Sequence, residues 1–565
     1  MGGGGVFGRR LVTGLLESTR LDVVLAGRDA ARLAALVARR NDAPPSRGRA
    51  RVASLNLDAR NVTADALRAI SAFAVMDASG PFQGGDYRLA RAAIDAGLHY
   101  VDLADARDFV AGFGVLDAAA KAMGVVALTG ASSTPALSNA ALDALTAGWR
   151  RVDQVEIAIS PGNRAPRGLS VVRSILSYAG RPVRLFTGGR WGAAPGWGMM
   201  ERRLMPRVGR RWLSLVETPD LDIVPERFAV QGSAVVRAGL ELPVLHLSLW
   251  AASLPVRLGL IRSLSPMAGF FRGAADFFLP FGTDRGAMTV AATGMDGEGR
   301  SVRGLWSLTA QGGDGPFVPT LPALAALRAL ASGRLTRPGA SACVGVLSLE
   351  KIEAEFRGRR ITSRLNFARP GPGLYEKILG EKFALLPAPL RRLHRPGWGV
   401  RARGMARVDG AQGPIARIAS VILRLPPAAD RTTVSVDITP VRRGERWVRD
   451  FGDRRFASIL SASATPGRLV ERFGAVAFEL DLPVGPRGVL GMPIRAWRVG
   501  PLPLPRRLAP ISKAIETVDE EGRFCFDVEL RLPLRLGRLV RYRGWLTPDE
   551  PRPSTMLASP TRCAT

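Results

Sequence analysis

Eight residues at the amino end, Met1-Gly-Gly-Gly-Gly-Val-Phe-Gly8, carry the most chemically pointed spacing in the chain. Read as Gly3-x-Gly5-x-x-Gly8, with Val6 and Phe7 before the last glycine, they fit a turn that wraps a dinucleotide pyrophosphate. The first glycine allows a tight strand-to-helix turn, the second lets the backbone approach the diphosphate, and the third lets the helix pack on the sheet. Phosphate then rests on unpaired N–H groups at the helix N-terminus. The next residues agree: Arg9 to Ser18 reads as a helix, Leu21 to Ala26 as a buried strand, and Gly27-Arg28-Asp29 as the turn after it. An acid after that strand would bond the ribose 2′-hydroxyl of NAD, whereas an arginine accommodates the 2′-phosphate of NADP. Arg28, with Arg32 one helical turn on, favours NADP and leaves NAD open. Only Met1 and Gly2 precede Gly3, where a strand of roughly five or six residues is expected. The reading is therefore a first strand missing from the sheet and a start lying upstream.

Other chemistry is sparse. There is no nucleophile elbow, no HExxH helix and no phosphate-loop lysine. Cys343, Cys525, Cys563 and the histidines His99, His246 and His394 are too scattered for a disulfide framework or a zinc site, so no metal is expected. Hydride transfer asks little of side chains beyond orientation and one acid for a proton. Asp102, His99 and Tyr100 are the catalytic candidates, on a strand whose carboxyl end faces the cleft of such a fold, with Asp105 just beyond. For His99 a satisfied core histidine is the bland alternative. Arg164 and Arg167, beside a helix beginning at Leu169, suit a substrate carboxylate or phosphate, or else sit in a solvated turn.

The elements that must position these residues alternate. Helix and strand succeed one another to about residue 150, with strands at Val52–Leu57 (ending at Asp58), Ala72–Ala78, His99–Leu103 and Val125–Leu128. This argues a parallel sheet covered on both faces. Strands at Val152–Ile159, Ala287–Ala292 and Ser301–Ala310, with a helix over Leu169–Tyr178, give an α+β middle domain at 151–356. Arg357 to Gly373 breaks periodicity as a linker would. Beyond it, 374–550 reads as an α+β domain with a large antiparallel sheet, a helix at Leu374–Leu393 and a second helix around Leu508–Glu516.

The glycine turn with Arg9-Arg10-Leu11, Ala26-Gly27-Arg28, Gly80-Pro81-Phe82-Gln83, His99-Tyr100-Val101-Asp102-Leu103 and Gly130-Ala-Ser-Ser-Thr-Pro135 resembles the NADP-binding domain of saccharopine dehydrogenase-like oxidoreductases. The likeness covers 1–150 and continues more loosely to about 355. It implies that the glycine turn, Gly3, Gly5, Val6, Phe7 and Gly8, binds pyrophosphate, that Arg28 lies near the adenosine end, and that Gly80, Pro81 and Phe82 border the nicotinamide; Asp58 is a further cofactor-binding candidate. Members of that family differ widely in substrate, so it implies fold and cofactor more than reaction. Motifs such as His394-Arg-Pro-Gly-Trp398, Glu445-Arg-Trp447, Glu471-Arg-Phe-Gly474 and Arg541-Tyr-Arg-Gly-Trp545 resemble a domain of unknown function that bacteria often fuse behind this oxidoreductase.

Composition narrows the partners. The chain has 565 residues, enough for two to four domains, and a formal charge of +30. Of its 79 basic residues only five are lysines, and the arginines are spread rather than blocked among aromatics, so no specific nucleic acid is expected. Leu242–Phe271, the most apolar stretch, is broken by His246, Arg257, Arg262, Pro255 and Pro266, short of the ~20 apolar residues of a span. Peripheral membrane association through it stays open. The expectation is a cytoplasmic NADP-dependent oxidoreductase acting on a small molecule, with a homodimer compatible. The alternative is a non-catalytic ligand-binding or assembly protein that uses the C-terminal sheet.

Overall fold

The computed structural model describes residues 1–41, 51–166, 168–423, 425–441, 443–452, 454–534 and 536–548. The chain divides into two compact units, Met1–Ala292 with Gly304–Phe367, and Thr293–Arg303 with the residues from Ala368.

The first unit opens with α1 (Val6–Ser18), β1 (Val23–Gly27), α2 (Ala30–Asn41), β2 (Val52–Asn56), α3 (Ala64–Arg68), β3 (Ala74–Asp77), α4 (Arg88–Asp95) and β4 (His99–Asp102). The single helix expected over Asp105–Met123 is α5 (Arg107–Gly112) and α6 (Asp117–Ala122), joined by a tighter turn over Phe113–Leu116. Then come β5 (Val126–Thr129) and α7 (Ser138–Thr146). β1 and β2 pair in parallel as one sheet. β3, β4, β5 and a later strand, β14 (Gly339–Ala342), pair in parallel as another. Met1 and Gly2 lie between them: the Met1 amino group donates to Met76 O, Ala78 N–H to Met1 O, and Gly2 N–H to Ala26 O. The order β2, β1, Met1–Gly2, β3, β4, β5 is the Rossmann-like order with two residues where its central strand runs.

The chain continues through β6 (Arg151–Ser160), α8 (Leu169–Tyr178), β7 (Pro182–Thr187), β8 (Arg190–Pro195), β9 (Glu201–Met205), β10 (Gly209–Leu215), α9 (Asp220–Arg227), β11 (Ser233–Ala238), β12 (Gly286–Met295), β13 (Ser301–Ala310) and β15 (Ile361–Ala368). These strands form a mixed nine-stranded sheet in the order β15-β13-β12-β6-β11-β10-β9, with β7 on β11 and β8 on β7. One core joins the parallel and mixed sheets: Leu11 and Leu15 of α1, Leu137 to Leu145, Leu321 to Leu330, and Val155 and Ile157 of β6 are buried together. That continuity ties the glycine turn to the mixed sheet, because close-packed interiors transmit displacement.

The second unit contains β16 (Val400–Asp409), β17 (Ala429–Val441), β18 (Gly444–Asp450), β19 (Arg455–Ala462), β20 (Arg468–Phe473), β21 (Val476–Asp481), β22 (Leu490–Gly491), β23 (Ile494–Val499), β24 (Leu502–Leu504), β25 (Ile511–Val518), β26 (Phe524–Arg531) and β27 (Arg538–Pro548). The helix expected around Leu508–Glu516 is strand β25 instead. It carries β-branched Ile511, Ile515, Thr517 and Val518, and it runs register-paired with β26 from Ile511 opposite Arg531 to Val518 opposite Phe524. The order is β22-β25-β26-β27-β16-β17-β18-β19-β20-β21-β23-β24. The two ends of that order are one segment. Leu490 and Gly491 pair with Glu516 and Ile515 of β25, Met492 N–H bonds Ala514 O, and Ile494 to Val499 pair with β21. The sheet therefore closes into an antiparallel barrel with β24 as an outlying flap. The helices Leu374–Leu379 and Ala388–Leu393 pack buried Leu374, Tyr375, Leu390 and Leu393 against its inward face.

Candidate functional site

The glycine turn does what its spacing asks. Gly2 takes φ +71°, and a methyl on Gly8 would lie 2.3 Å from the Gly2 carbonyl oxygen, so α1 can approach the turn only without a side chain there. A methyl on Gly3 would meet Leu25 Cδ2 at 2.7 Å. Gly5 caps α1, and the first backbone bond into the helix is Arg9 N–H to Gly5 O. The N–H groups of Val6, Phe7 and Gly8 are thus left to a ligand among the described residues, and the cradle fits a diphosphate. Arg28 is exposed at the end of β1, the Arg32 chain reaches the surroundings of Gly4, and Arg9 Nε donates to Gly4 O at 2.9 Å. Asp58 sits beside this end, since Leu57 N–H bonds Gly27 O, and pairs with Arg60 at 3.0 Å.

Phe7 and the loop Gly80-Pro81-Phe82 border a cavity of about 370 Å³. Its walls come from α8 (Val171, Ile175, Tyr178), β11 (Val236), β12 (Met288), β13 (Leu308) and the Pro316–Pro319 turn, and they are largely apolar. Two buried ties shape it. Glu241 accepts from Asn163 N–H, Thr283 N–H and Thr283 Oγ1 while pairing with Arg211, which fastens the two loops beside Pro161 and Asp284. Arg107 donates to Asp222 and to Arg184 O, which anchors the loop after β4 to α9 and β7. Among the described residues the one cation in the wall is Arg237, which donates to Glu156 Oε1 at 2.7 Å.

One corner of the cavity is polar. Gln83 Nε2 donates to Ser174 Oγ at 2.7 Å and Asp105 Oδ1 at 3.2 Å, and Tyr178 and Glu217 stand beside them. Burial drives the Tyr178 phenol far above its ordinary range, helped by the charges of Asp105 and Glu217, so it stays a donor. Burial also raises the Glu217 carboxyl, against the pull of Arg107 4.0 Å away. The sequence alone does not single out Tyr178 and Glu217. The signal it offers is the amphipathic face of the helix Leu169–Tyr178, which places Val171, Ser174, Ile175 and Tyr178 on one side.

The three catalytic candidates of the sequence do not line this cavity. Asp102 is wholly buried, and its Oδ1 accepts from Ala104 N–H, Gly130 N–H and Thr129 Oγ1 at 2.9, 2.7 and 3.0 Å. It cross-links the loops after β4 and β5, and burial pushes its carboxyl up to about 7. Tyr100 is buried beside Phe113 with its hydroxyl on Asp77 at 3.3 Å. His99 is at the amino end of β4, where its Nδ1 accepts Val126 N–H. Arg164 lies outside the cavity, donating to Pro280 O at 3.2 Å, and Arg167 falls outside the described residues. His246 is a core histidine: Leu240 N–H reaches its Nδ1, Ser214 its Nε2, and burial lowers it to about 4.

Among the described residues, no cluster of His, Cys, Asp and Glu could hold a metal, and no helix is long and apolar enough to cross a membrane. Comparison with known proteins agrees with the topology. The family model "Saccharopine dehydrogenase NADP binding domain" matches residues 1–141, and "Domain of unknown function (DUF4166)" matches 386–546. Among curated proteins none matches the chain. Among solved structures, saccharopine dehydrogenase (L-Glu forming) from Saccharomyces cerevisiae is similar at 12% identity and TM-score 0.47, over 64% of this chain and 98% of its own. GenD2 from gentamicin A biosynthesis, in complex with NAD, is similar at 16% identity and TM-score 0.29, over 64% of this chain and 94% of its own. The chain thus carries a saccharopine dehydrogenase NADP binding domain at its amino end and a DUF4166 domain at its carboxyl end.

Proposed function

We propose that this protein is an NADP-dependent oxidoreductase whose substrate is apolar and uncharged around its reacting centre. The observation that carries the reading is the cavity beside Phe7 and Gly80-Pro81-Phe82. Its wall is apolar outside the Gln83–Glu217 corner, and the one cation that lines it among the described residues is already paired with Glu156. A carboxylate or phosphate would find no free cation there among the described residues, and its desolvation would go unrepaid. The Val6, Phe7 and Gly8 amides would hold the pyrophosphate, Arg28 and Arg32 the 2′-phosphate, and the Gly80–Phe82 loop would flank the nicotinamide. When bound, the cofactor supplies or takes the hydride.

The chain's own residues do the rest. The apolar wall excludes water and sets the substrate's face toward the Gly80–Phe82 loop. The Tyr178 hydroxyl orients a substrate carbonyl by hydrogen bonding, and Glu217, its carboxyl raised above the usual carboxylate range by burial, moves the proton. Asp105 and Ser174 hold Gln83 across the cavity mouth.

The test has two stages. Thermal-shift titration with NADPH and NADH reads cofactor binding and preference. Loss of reduced-nicotinamide absorbance is then monitored with long-chain ketones and unsaturated carbonyls beside short keto acids. NADPH binding with turnover confined to the apolar set is expected, and Tyr178→Phe should lower kcat about tenfold with little change in NADPH affinity. Turnover of the keto acids alone, or no response to either nucleotide, would sink the reading.

A further inference from the structure

The DUF4166 barrel has an inside, and register identifies what faces it. Trp447 is opposite Ser458, Arg449 opposite Phe456, Leu460 opposite Glu471, and Glu471 opposite Phe478. Phe478 is opposite Trp497, and Val408 of β16 is opposite Tyr542 of β27. Directly paired residues share a face, and that face carries the buried core of this unit, so all of these point inward.

The interior is filled unevenly. At the helix-packed end Trp447, Leu460, Leu469, Leu490 and Phe524 are buried. His394 stacks on Tyr375 at 3.8 Å and bonds Glu516 at 2.5 Å, sealing that end. At the other end inward rings form a belt: Tyr542–Phe451 at 5.3 Å, then Phe456, Phe473, Phe478 and Trp497 at successive centroid separations of 6.0, 6.5, 6.4 and 6.4 Å. Phe456, Phe473, Phe478, Trp497 and Tyr542 are only half-buried although they face inward. A barrel of about eight strands is just wide enough for side chains to fill or to hold one small ligand, and this one is wider. The half-burial of the inward rings is the sign that side chains do not fill it at the belt.

The floor of the belt is polar but internally neutralised. Arg449 donates to Ser458 Oγ at 2.9 Å and Glu471 at 3.1 Å, and Ser458 donates to Glu471 at 2.7 Å. The Tyr542 hydroxyl has no hydrogen-bond partner among the described residues, yet it lies near enough to Arg449, Glu471 and Glu516 to feel their charges. Burial raises that phenol to about 12, so it remains a donor at physiological pH.

We propose that the open half of the barrel binds an uncharged, flat apolar molecule carrying a hydrogen-bond acceptor, its ring seated among Phe456, Phe473, Phe478 and Trp497 and its acceptor on the Tyr542 hydroxyl. The rings supply flat apolar walls, which stack on a planar partner in preference to a flexible chain. The paired floor disfavours an anion or a cation, because either would meet a charge already compensated. The free hydroxyl selects an acceptor rather than a bare hydrocarbon. The site owes nothing to the nicotinamide reading.

Benzophenone, a neutral diaryl ketone that cross-links on illumination, is the probe, applied to the full chain and followed by peptide mapping. Saturable adducts on inward residues of the strands bearing Phe456, Phe473, Phe478, Trp497 and Tyr542 are expected. Tyr542→Phe should raise the half-saturating concentration about fivefold, the effect of one lost hydrogen bond. Phe478→Ala should raise it about tenfold, and Ile459→Ala, on the outer face, should leave it unchanged. The anionic 4-benzoylbenzoate should label at least tenfold less. Adducts confined to residues 1–367, absent labelling, or equal labelling of the Tyr542→Phe and parent chains would overturn the proposal. Should Phe478→Ala misfold, Tyr542→Phe decides alone, since it removes one oxygen and no packing atom.

Discussion

Asp102→Asn separates a scaffold carboxyl from a catalytic one. Asp102 is fully buried, its Oδ1 receives three hydrogen bonds, and its Oδ2 is buried with no partner. Burial is the main reason that its carboxyl rises from 3.8 to about 7, with the charge of Asp77 adding to it. The sign comes from proton counting. Between those values the folded chain keeps a proton that the unfolded chain has released, so stability is greatest below about pH 4 and falls as pH rises toward 7. At 1.36 kcal/mol per pH unit the loss is on the order of 4 kcal/mol. Asparagine imitates the protonated form: it keeps the Oδ1 acceptor and cannot ionise. At pH 8, above both values, the variant should therefore be more stable than the parent by that same amount, on the order of 4 kcal/mol, and at pH 4 the two should be nearly equal. Two compact units make a single global unfolding transition unsafe. Hydrogen exchange at the Ala104 and Gly130 amides, which bond that oxygen, reads the local free energy instead. Slower exchange in the variant at pH 8, with turnover retained, is the expected result. Faster exchange at pH 8, or parallel pH profiles, would refute the linkage; lost turnover with unchanged exchange would return Asp102 to the catalytic role its position on β4 first suggested.

Other perturbations bear on the remaining surfaces. Gly8→Ala places a methyl 2.3 Å from the Gly2 oxygen, so α1 must shift and NADPH affinity should fall at least about tenfold by thermal shift; unchanged affinity would mean the turn holds no diphosphate. Arg28→Ala should weaken NADPH about tenfold and leave NADH alone, as removal of a charge-assisted contact would; equal losses for both nucleotides would place Arg28 elsewhere. Leu258, Leu260, Phe270, Phe277 and Phe281 stand 68–73% exposed in a stretch that also carries Arg262 and Arg272, so the protein should co-sediment with anionic vesicles. Leu258→Ser with Phe270→Ser should reduce that binding at least tenfold, and equal recovery with and without vesicles would dismiss it.

How far the sequence could be read depended on how locally each feature is encoded. The glycine turn, α8 and β13 were legible because their signals lie in adjacent residues: a turn chemistry, an amphipathic period and an alternating run. The Rossmann-like order with a gap at its centre was legible for the same reason, since Gly3 announces a strand that two residues cannot supply. The polar corner of the cavity was not legible. Ser174 and Tyr178 come from α8, Gln83 from the Gly80 loop and Glu217 from the segment between β10 and α9, and only tertiary packing brings the three together. Asp102 drew notice for its place at a strand's carboxyl end, but that end also needs something to tie its loops, and three backbone and hydroxyl donors claimed the carboxylate first.

The barrel shows where such reading fails for a physical reason. Val470 to Leu480 looks like one apolar strand, yet Gly474, with φ +57°, turns the chain and splits it into β20 and β21. Ile511 to Val518 offers helix formers such as Lys513, Ala514 and Glu516, and cross-strand pairing overrides that weak local preference. Closure itself rests on Leu490, Gly491 and Met492, three residues with no strand periodicity of their own, whose backbone is claimed by β25 before Ile494 joins β21. A sheet left open there would expose the edges of β25 and β21 to pairing with other chains, and closing it removes both edges at once. The same closure turns one face of every strand into an interior, and this is what gives half-buried rings such as Phe478 and Trp497 something to surround.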